Sequence, residues 1–142
     1  MRALLLLAFC CAPLMADMAK VMAEPNMEKR SQAALVYASE TLSESRKAYS
    51  AGEMEKAAQL LDEMEKAVVL AEKSLTDSGK DANRSPKYFK DAEIKLGQLL
   101  RRLDGFSSDM NVADRPAADK VKETVQQVHD RILLSIMKKK KK

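Results

Sequence analysis

The chain contains one histidine, His129, so any chemistry that needs an imidazole must use this residue. A Ser–His–acid triad requires a hydroxyl that one imidazole can deprotonate and a carboxylate that orients the ring. No Ser or Thr can be matched to His129 on sequence grounds. A di-iron bundle requires Glu-x-x-His on each of two helices, but Gln126 stands three residues before His129. The 4 glycines are scattered and form no phosphate-cradling loop. The 2 cysteines, Cys10 and Cys11, fall inside an N-terminal apolar stretch, so the chain beyond it has no thiol. That excludes thiolate nucleophiles, Cys-ligated zinc or iron–sulfur centres and disulfides from the remainder. Carboxylates are plentiful, but they read as the solvated faces of helices. We therefore expect no enzyme, no metal site and no cofactor.

One arrangement points to a cofactor nonetheless. Met27 stands early in the first helical segment and His129 late in the fourth. In outline this resembles the small exported four-helix cytochromes of the b type, in which a Met and a His from those helices ligate haem. The resemblance implies Met27 and His129 as axial ligands. It departs from the family in axial level: His129 lies further from its helix end than Met27 from its helix start, a mismatch of about 9 Å at 1.5 Å per residue.

Cations offer a second candidate. The stretch Ser85-Pro86-Lys87-Tyr88-Phe89-Lys90, with Arg101-Arg102-Leu103 and Asp114-Arg115, resembles a group of uncharacterised exported bacterial helical proteins over roughly the C-terminal half of the chain. The resemblance implies a bacterial, exported protein and carries no known activity. Physically, Lys87, Lys90, Lys95, Arg101 and Arg102 beside Tyr88 would form a basic face suited to an acidic polymer or partner. The competing expectation is a solvated face whose charges pair with the acidic segment before it. Lys138, Lys139, Lys140, Lys141 and Lys142 follow the last helical segment directly. They would complement that helix's C-terminal dipole, or be drawn to anionic lipid at about 1 kcal/mol per Lys. The expected partner is thus another protein or an anionic envelope surface.

A third likeness is local. Ala48-Tyr49-Ser50-Ala51-Gly52-Glu53-Met54-Glu55-Lys56-Ala57, with Leu61, resembles the turn of a tetratricopeptide-type helical hairpin. It implies a tight helix–turn–helix and a protein-interaction adaptor. Met54 replaces the usual aromatic residue, Glu44-Ser45 stands where Leu-Gly is common, and no second copy follows.

These residues must be carried by helices. Ala, Leu, Glu, Lys and Met dominate, and all favour helix. Four segments carry apolar residues at alternating steps of three and four, which is one stripe of an α-helix. Residues 25–51 place Ser31, Leu35, Ala38, Leu42, Ser45 and Tyr49 inward. Residues 53–77 do the same with Met54, Ala57, Leu61, Met64, Val68, Ala71 and Leu75. Residues 86–104 offer Phe89, Ala92, Leu96, Leu99 and Leu103, and residues 116–137 offer Ala118, Val121, Val125, Val128 and Ile132. Ser85-Pro86 and Asp114-Arg115-Pro116 are helix starts. Gly52 and Gly79 mark stops, and Gly105 marks the end, or a weak point, of the third segment. The predicted fold is all-α: an antiparallel up-down-up-down four-helix bundle over residues 25–137, with two stacked helical hairpins as the alternative.

Ahead of the bundle, Arg2 followed by an apolar run from Ala3 to Ala12 and by Pro13 reads as a secretory signal peptide. Cleavage is expected after Ala16, or alternatively after Ala23, and the mature chain is expected in the periplasm or medium. No apolar run reaches the roughly 20 residues a membrane span needs. The net charge of +4 falls to −1 without the five C-terminal lysines, so nucleic acid, which demands a basic face across the fold, is not an expected partner.

Overall fold

The computed structural model describes residues 12–138, with side chains from residue 17 onward. The leader residues Arg2, Cys10 and Cys11, and Lys139 to Lys142, lie outside the described residues. The fold is all-helical: five helices and no strand among the described residues. They are α1 (Ala12–Ala23), α2 (Met27–Ser50), α3 (Met54–Asp77), α4 (Pro86–Asp109) and α5 (Arg115–Met137).

The stripes read from the sequence form the core. Leu35, Leu42, Leu61, Met64, Val68, Leu75, Leu96, Leu99, Leu103, Val125 and Val128 are all buried in one apolar cluster. Met54 departs from the pattern and is 44% exposed. It opens α3 at the first residue and lines an open cleft with Tyr49, Met110 and Pro116. Gly105 departs too: α4 does not stop there but runs on to Asp109, burying Phe106, Ser107 and then Met110. One glycine costs a helix interior only about 1 kcal/mol, and burial of Phe106 outweighs that. Gly52 and Gly79 do lie in turns, with φ of 80° and 67° that other residues rarely adopt.

Helix α2 packs most closely on α3, antiparallel across the Gly52 turn. Small residues on both faces (Ala34, Ala38 and Ala48 against Ala57, Ala67 and Ala71) allow this approach. Within that seam the buried Ser45 Oγ donates to the Ala57 carbonyl at 2.8 Å. The second hairpin is α4 against α5, also antiparallel, with Lys122 on Asp104 at 2.8 Å and Ser107 Oγ on Asp119 at 2.8 Å.

The two hairpins are stacked so that α2 lies beside α4 and α3 beside α5, each pair running in the same direction. Gln32 meets Asp91, Ser39 meets Arg102 and Arg46 meets Asp109 along the first pair. Glu65 meets Thr124 and Glu72 meets Arg131 along the second. Sequence neighbours α3 and α4 touch only sparsely, because residues 78–85 cross from one corner of the assembly to the opposite one. Short connections alone suggested that each helix would pair with the next; eight linking residues are enough to span the diagonal.

The same end of the assembly collects the starts of α2 and α4, the ends of α3 and α5, and the end of α1. Helix α1 doubles back on α2, seating Val21 in the core and Met18 against it. Arg30 Nε closes the turn on the Glu24 carbonyl at 2.8 Å.

Candidate functional site

Helix α4 does not carry its cations on one face. Lys95 and Arg102 turn toward α2. The Lys95 ammonium holds Asp91 at 2.9 Å, and Gln32 of α2 donates to the same carboxylate at 3.3 Å. Arg102 donates to Ser39 Oγ and Ser43 Oγ, each at 2.6 Å, and to the Ser39 carbonyl at 3.1 Å. Arg102 therefore rivets α4 to α2, whereas the Lys95 bond stays within α4 and meets α2 only through the shared Asp91 carboxylate. Lys87, Lys90 and Arg101 face outward instead, exposed and with no carboxylate partner among the described residues. Lys87 Nζ sits 5.9 Å from the centroid of the Tyr88 ring, within cation–π reach.

A helical wheel separates the two sets: at 100° per residue, Lys95 lies about 80° from Lys87 and about 120° from Arg101. The spacing by itself carries this separation of the five cations.

The outward cations remain unneutralised because of the topology. Acidic α3 is diagonal to α4, and its carboxylates engage α5. Glu72 accepts from Arg131 at 2.5 and 2.8 Å, and Glu65 accepts from Thr124 at 2.6 Å with Lys120 4.0 Å away. The Glu72 bonds hold the proton on Arg131 more tightly than usual, as Asp104 does for Lys122. Pairing of α4 with the acidic segment before it, one of the two expectations for its basic residues, does not occur.

Lys138 caps α5 and is exposed at the same end as Lys87 and Lys90. Three cations there were not singled out from sequence: Lys29, Lys80 and Arg84, all exposed. They become neighbours only once the helix directions are known. The acids at this end are engaged within the fold. Glu28 is buried, accepting the Ser85 hydroxyl and pairing with Lys80 at 3.1 Å. Asp77 holds Lys73 at 2.6 Å. Asp81 accepts the backbone N–H groups of Asn83 and Arg84, each at 3.0 Å, and Glu24 that of Asn26 at 3.0 Å.

Met27 and His129 are not brought together. Helices α2 and α5 occupy opposite corners. His129 faces α4, with Nε2 3.1 Å from Glu93 Oε1 and Nδ1 3.4 Å from Asp130 Oδ1. Both ring nitrogens thus have carboxylate neighbours. Among the described residues there is no group of three or more His, Cys, Asp or Glu that could hold a metal ion.

A cleft of about 720 Å³ lies where α2 passes α4, floored by Leu42 and Phe106 and rimmed by Ser43, Arg46, Lys47 and Arg102. Its rim charges are spoken for: Arg46 binds Asp109, Lys47 binds Glu44 at 2.8 Å, and Arg102 binds the two serines. At the exposed cationic end, by contrast, Lys29, Arg84, Lys87, Lys90 and Lys138 have no carboxylate partner among the described residues, and their chemistry is the attraction of anions. Among the described residues no helix is long and apolar enough to cross a membrane. No protein-family model, no curated protein and no solved structure matches the chain.

Proposed function

We propose that this chain is an exported, non-enzymatic up-down-up-down four-helix bundle that binds an anionic partner of the cell envelope through its cationic side chains. The observation that carries this reading is the set of outward cations on α4, Lys87, Lys90 and Arg101, which acidic α3 is too distant to neutralise. The Lys138–142 run extends the same electrostatic character.

Export rests on the leader pattern, and the packing of α1 favours cleavage after Ala16 over Ala23. Cutting after Ala23 would remove Val21, which is 7% exposed in the core, together with Met18. Cutting after Ala16 retains both.

The test is fractionation of cells producing the full chain, with the N-terminus read by mass spectrometry. The expected product is extracytoplasmic and begins at Asp17. An intact chain in the cytosol ends the export reading. Binding is tested by incubating the full chain with envelope fractions and assaying co-sedimented protein and phospholipid. Retention should fall in a Lys87→Glu/Lys90→Glu/Arg101→Glu variant that keeps its helical circular dichroism. Unchanged retention would end the cationic reading.

A further inference from the structure

We infer that the partner is an anionic lipid bilayer, and that the bundle docks on it end-on, through the end where α2 and α4 begin and α5 finishes. This rests on the reading of the chain as an exported bundle with an anionic partner, and goes beyond it in naming the surface, the orientation and the apolar side chains that take part.

Two independent features coincide at that end. The first is charge. Lys29, Arg84, Lys87, Lys90 and Lys138 are exposed there without a carboxylate partner among the described residues, and the sequence continues into Lys139 to Lys142. The acids of this end, as described above, are engaged within the fold. Lys87 also occupies the first turn of α4, and Lys29 that of α2, where the helix dipole disfavours positive charge. No acid stands in the first turn of α4. Such placement weakens the fold and is rational if an external anion compensates.

The second feature is apolar exposure. Of the large hydrophobic side chains left in solvent, Met22 ends α1, and Leu134 and Met137 end α5, all at this same end. Met137 is 66% exposed and directly precedes Lys138. Flexible apolar side chains interleaved with lysines match a headgroup layer: cations meet lipid phosphates while methionine and leucine reach the acyl boundary. The opposite end lacks this combination. It carries Glu53, Asp109 and Asp114 around the Gly52 turn; Met54 and Val112 stand exposed there, but its cations Arg46, Lys47 and Lys56 are paired with Asp109, Glu44 and Glu53.

An acidic protein would satisfy the charges but gives no role to single hydrophobics splayed around the rim of an end. Such a partner would be expected to seat on a continuous apolar patch.

The chain contains no Trp, so one introduced Trp reports alone. The experiment compares Met137→Trp with Val112→Trp in the full chain, titrated with vesicles of phosphatidylglycerol in phosphatidylcholine or of phosphatidylcholine alone. Any leader is common to both reporters. We expect a blue shift for Met137→Trp with phosphatidylglycerol only, abolished by high salt, and none for Val112→Trp. Replacing Arg84, Lys87 and Lys90 with Gln should lower vesicle partitioning about fivefold per cation removed. No shift at Met137→Trp, equal shifts at both positions, or equal response to the neutral vesicles would overturn end-on docking. Retention on envelope protein without any vesicle response would also overturn it, while leaving the broader anionic-partner reading standing.

Discussion

The carboxylate of Glu28 in α2 accepts the hydroxyl of Ser85, the residue immediately before α4. Ser85 sits at the N-cap position, yet its side chain makes no capping bond to its own helix. Asp114 behaves alike before α5: it leaves its own helix uncapped and accepts the Tyr49 hydroxyl at 2.9 Å. The starts of α4 and α5 are thus fastened to opposite ends of α2. Both bonds help hold the second hairpin in stacked register on the first.

The first bond makes stability depend on pH. The Ser85 hydroxyl, and after it the Lys80 ammonium, favour the ionised carboxylate and hold Glu28 below its ordinary value of 4.5, although burial opposes them. A group with a depressed folded pKa adds stability above its unfolded pKa and loses it as pH falls through the folded value. Urea unfolding should therefore show Glu28→Gln less stable than the parent at pH 7. The gap should close below about pH 4 as the parent carboxyl takes up its proton. A gap that stays constant down to pH 3 would show that the pair contributes nothing through ionisation.

Glycines of two kinds should respond in opposite directions. At Gly105 the backbone is helical, and an added Cβ would have no neighbour within 4 Å. Gly105→Ala should stabilise the chain by about 1 kcal/mol through helix propensity. Gly52 has equal room but a φ of 80°. Gly52→Ala should cost about 1–2 kcal/mol from backbone strain alone. Denaturant midpoints measure both, and a destabilising Gly105→Ala would mean that α4 is broken there in solution.

The helical stripes were legible in the sequence because burial follows the helix period directly: Leu61, Val68, Leu96 and Val125 are inside as their spacing requires. Gly105 misled because a local propensity was weighed without the burial of Phe106 that overrides it. The lateral order of helices was not legible. Nothing in residues 78–85 states whether they turn tightly or cross a diagonal. The candidate site was half legible for that reason. Lys87, Lys90, Arg101 and Lys138 could be picked out from the sequence, whereas Lys29, Lys80 and Arg84 join them only through the fold. Lys95 and Arg102 were separable in advance by their angle around α4.

Haem should find no paired axial ligands in this chain. Met27 and His129 stand on diagonally opposed helices, and His129 Nε2 is 3.1 Å from Glu93. Titrating haem into the full chain should give no band of a Met–His six-coordinate centre, and Met27→Ala and His129→Ala should leave the spectrum as it is. A low-spin band near 400 nm lost in both variants would require α2 and α5 to approach each other, and would contradict the packing described here.

Two residues on the same stripe of α3 separate periodicity from burial. Met54 and Leu61 are seven positions apart, two turns along one face, and the sequence pattern assigns both to the core. Leu61 is 1% exposed, whereas Met54 is 44% exposed at the first residue of the helix. Truncating a fully buried leucine removes its transfer free energy and leaves a cavity that neighbours fill only in part. Leu61→Ala should therefore cost about 2–5 kcal/mol. Met54→Ala removes contacts that solvent already replaces and should stay within about 0.5 kcal/mol of the parent. The comparison is made by urea unfolding at pH 7, with the steepness of the transition checked to be unchanged. Equal losses at the two positions would mean that the start of α3 is covered in solution, by another part of the chain or by a second molecule. In that case Met54 would belong to an interface instead of an exposed rim.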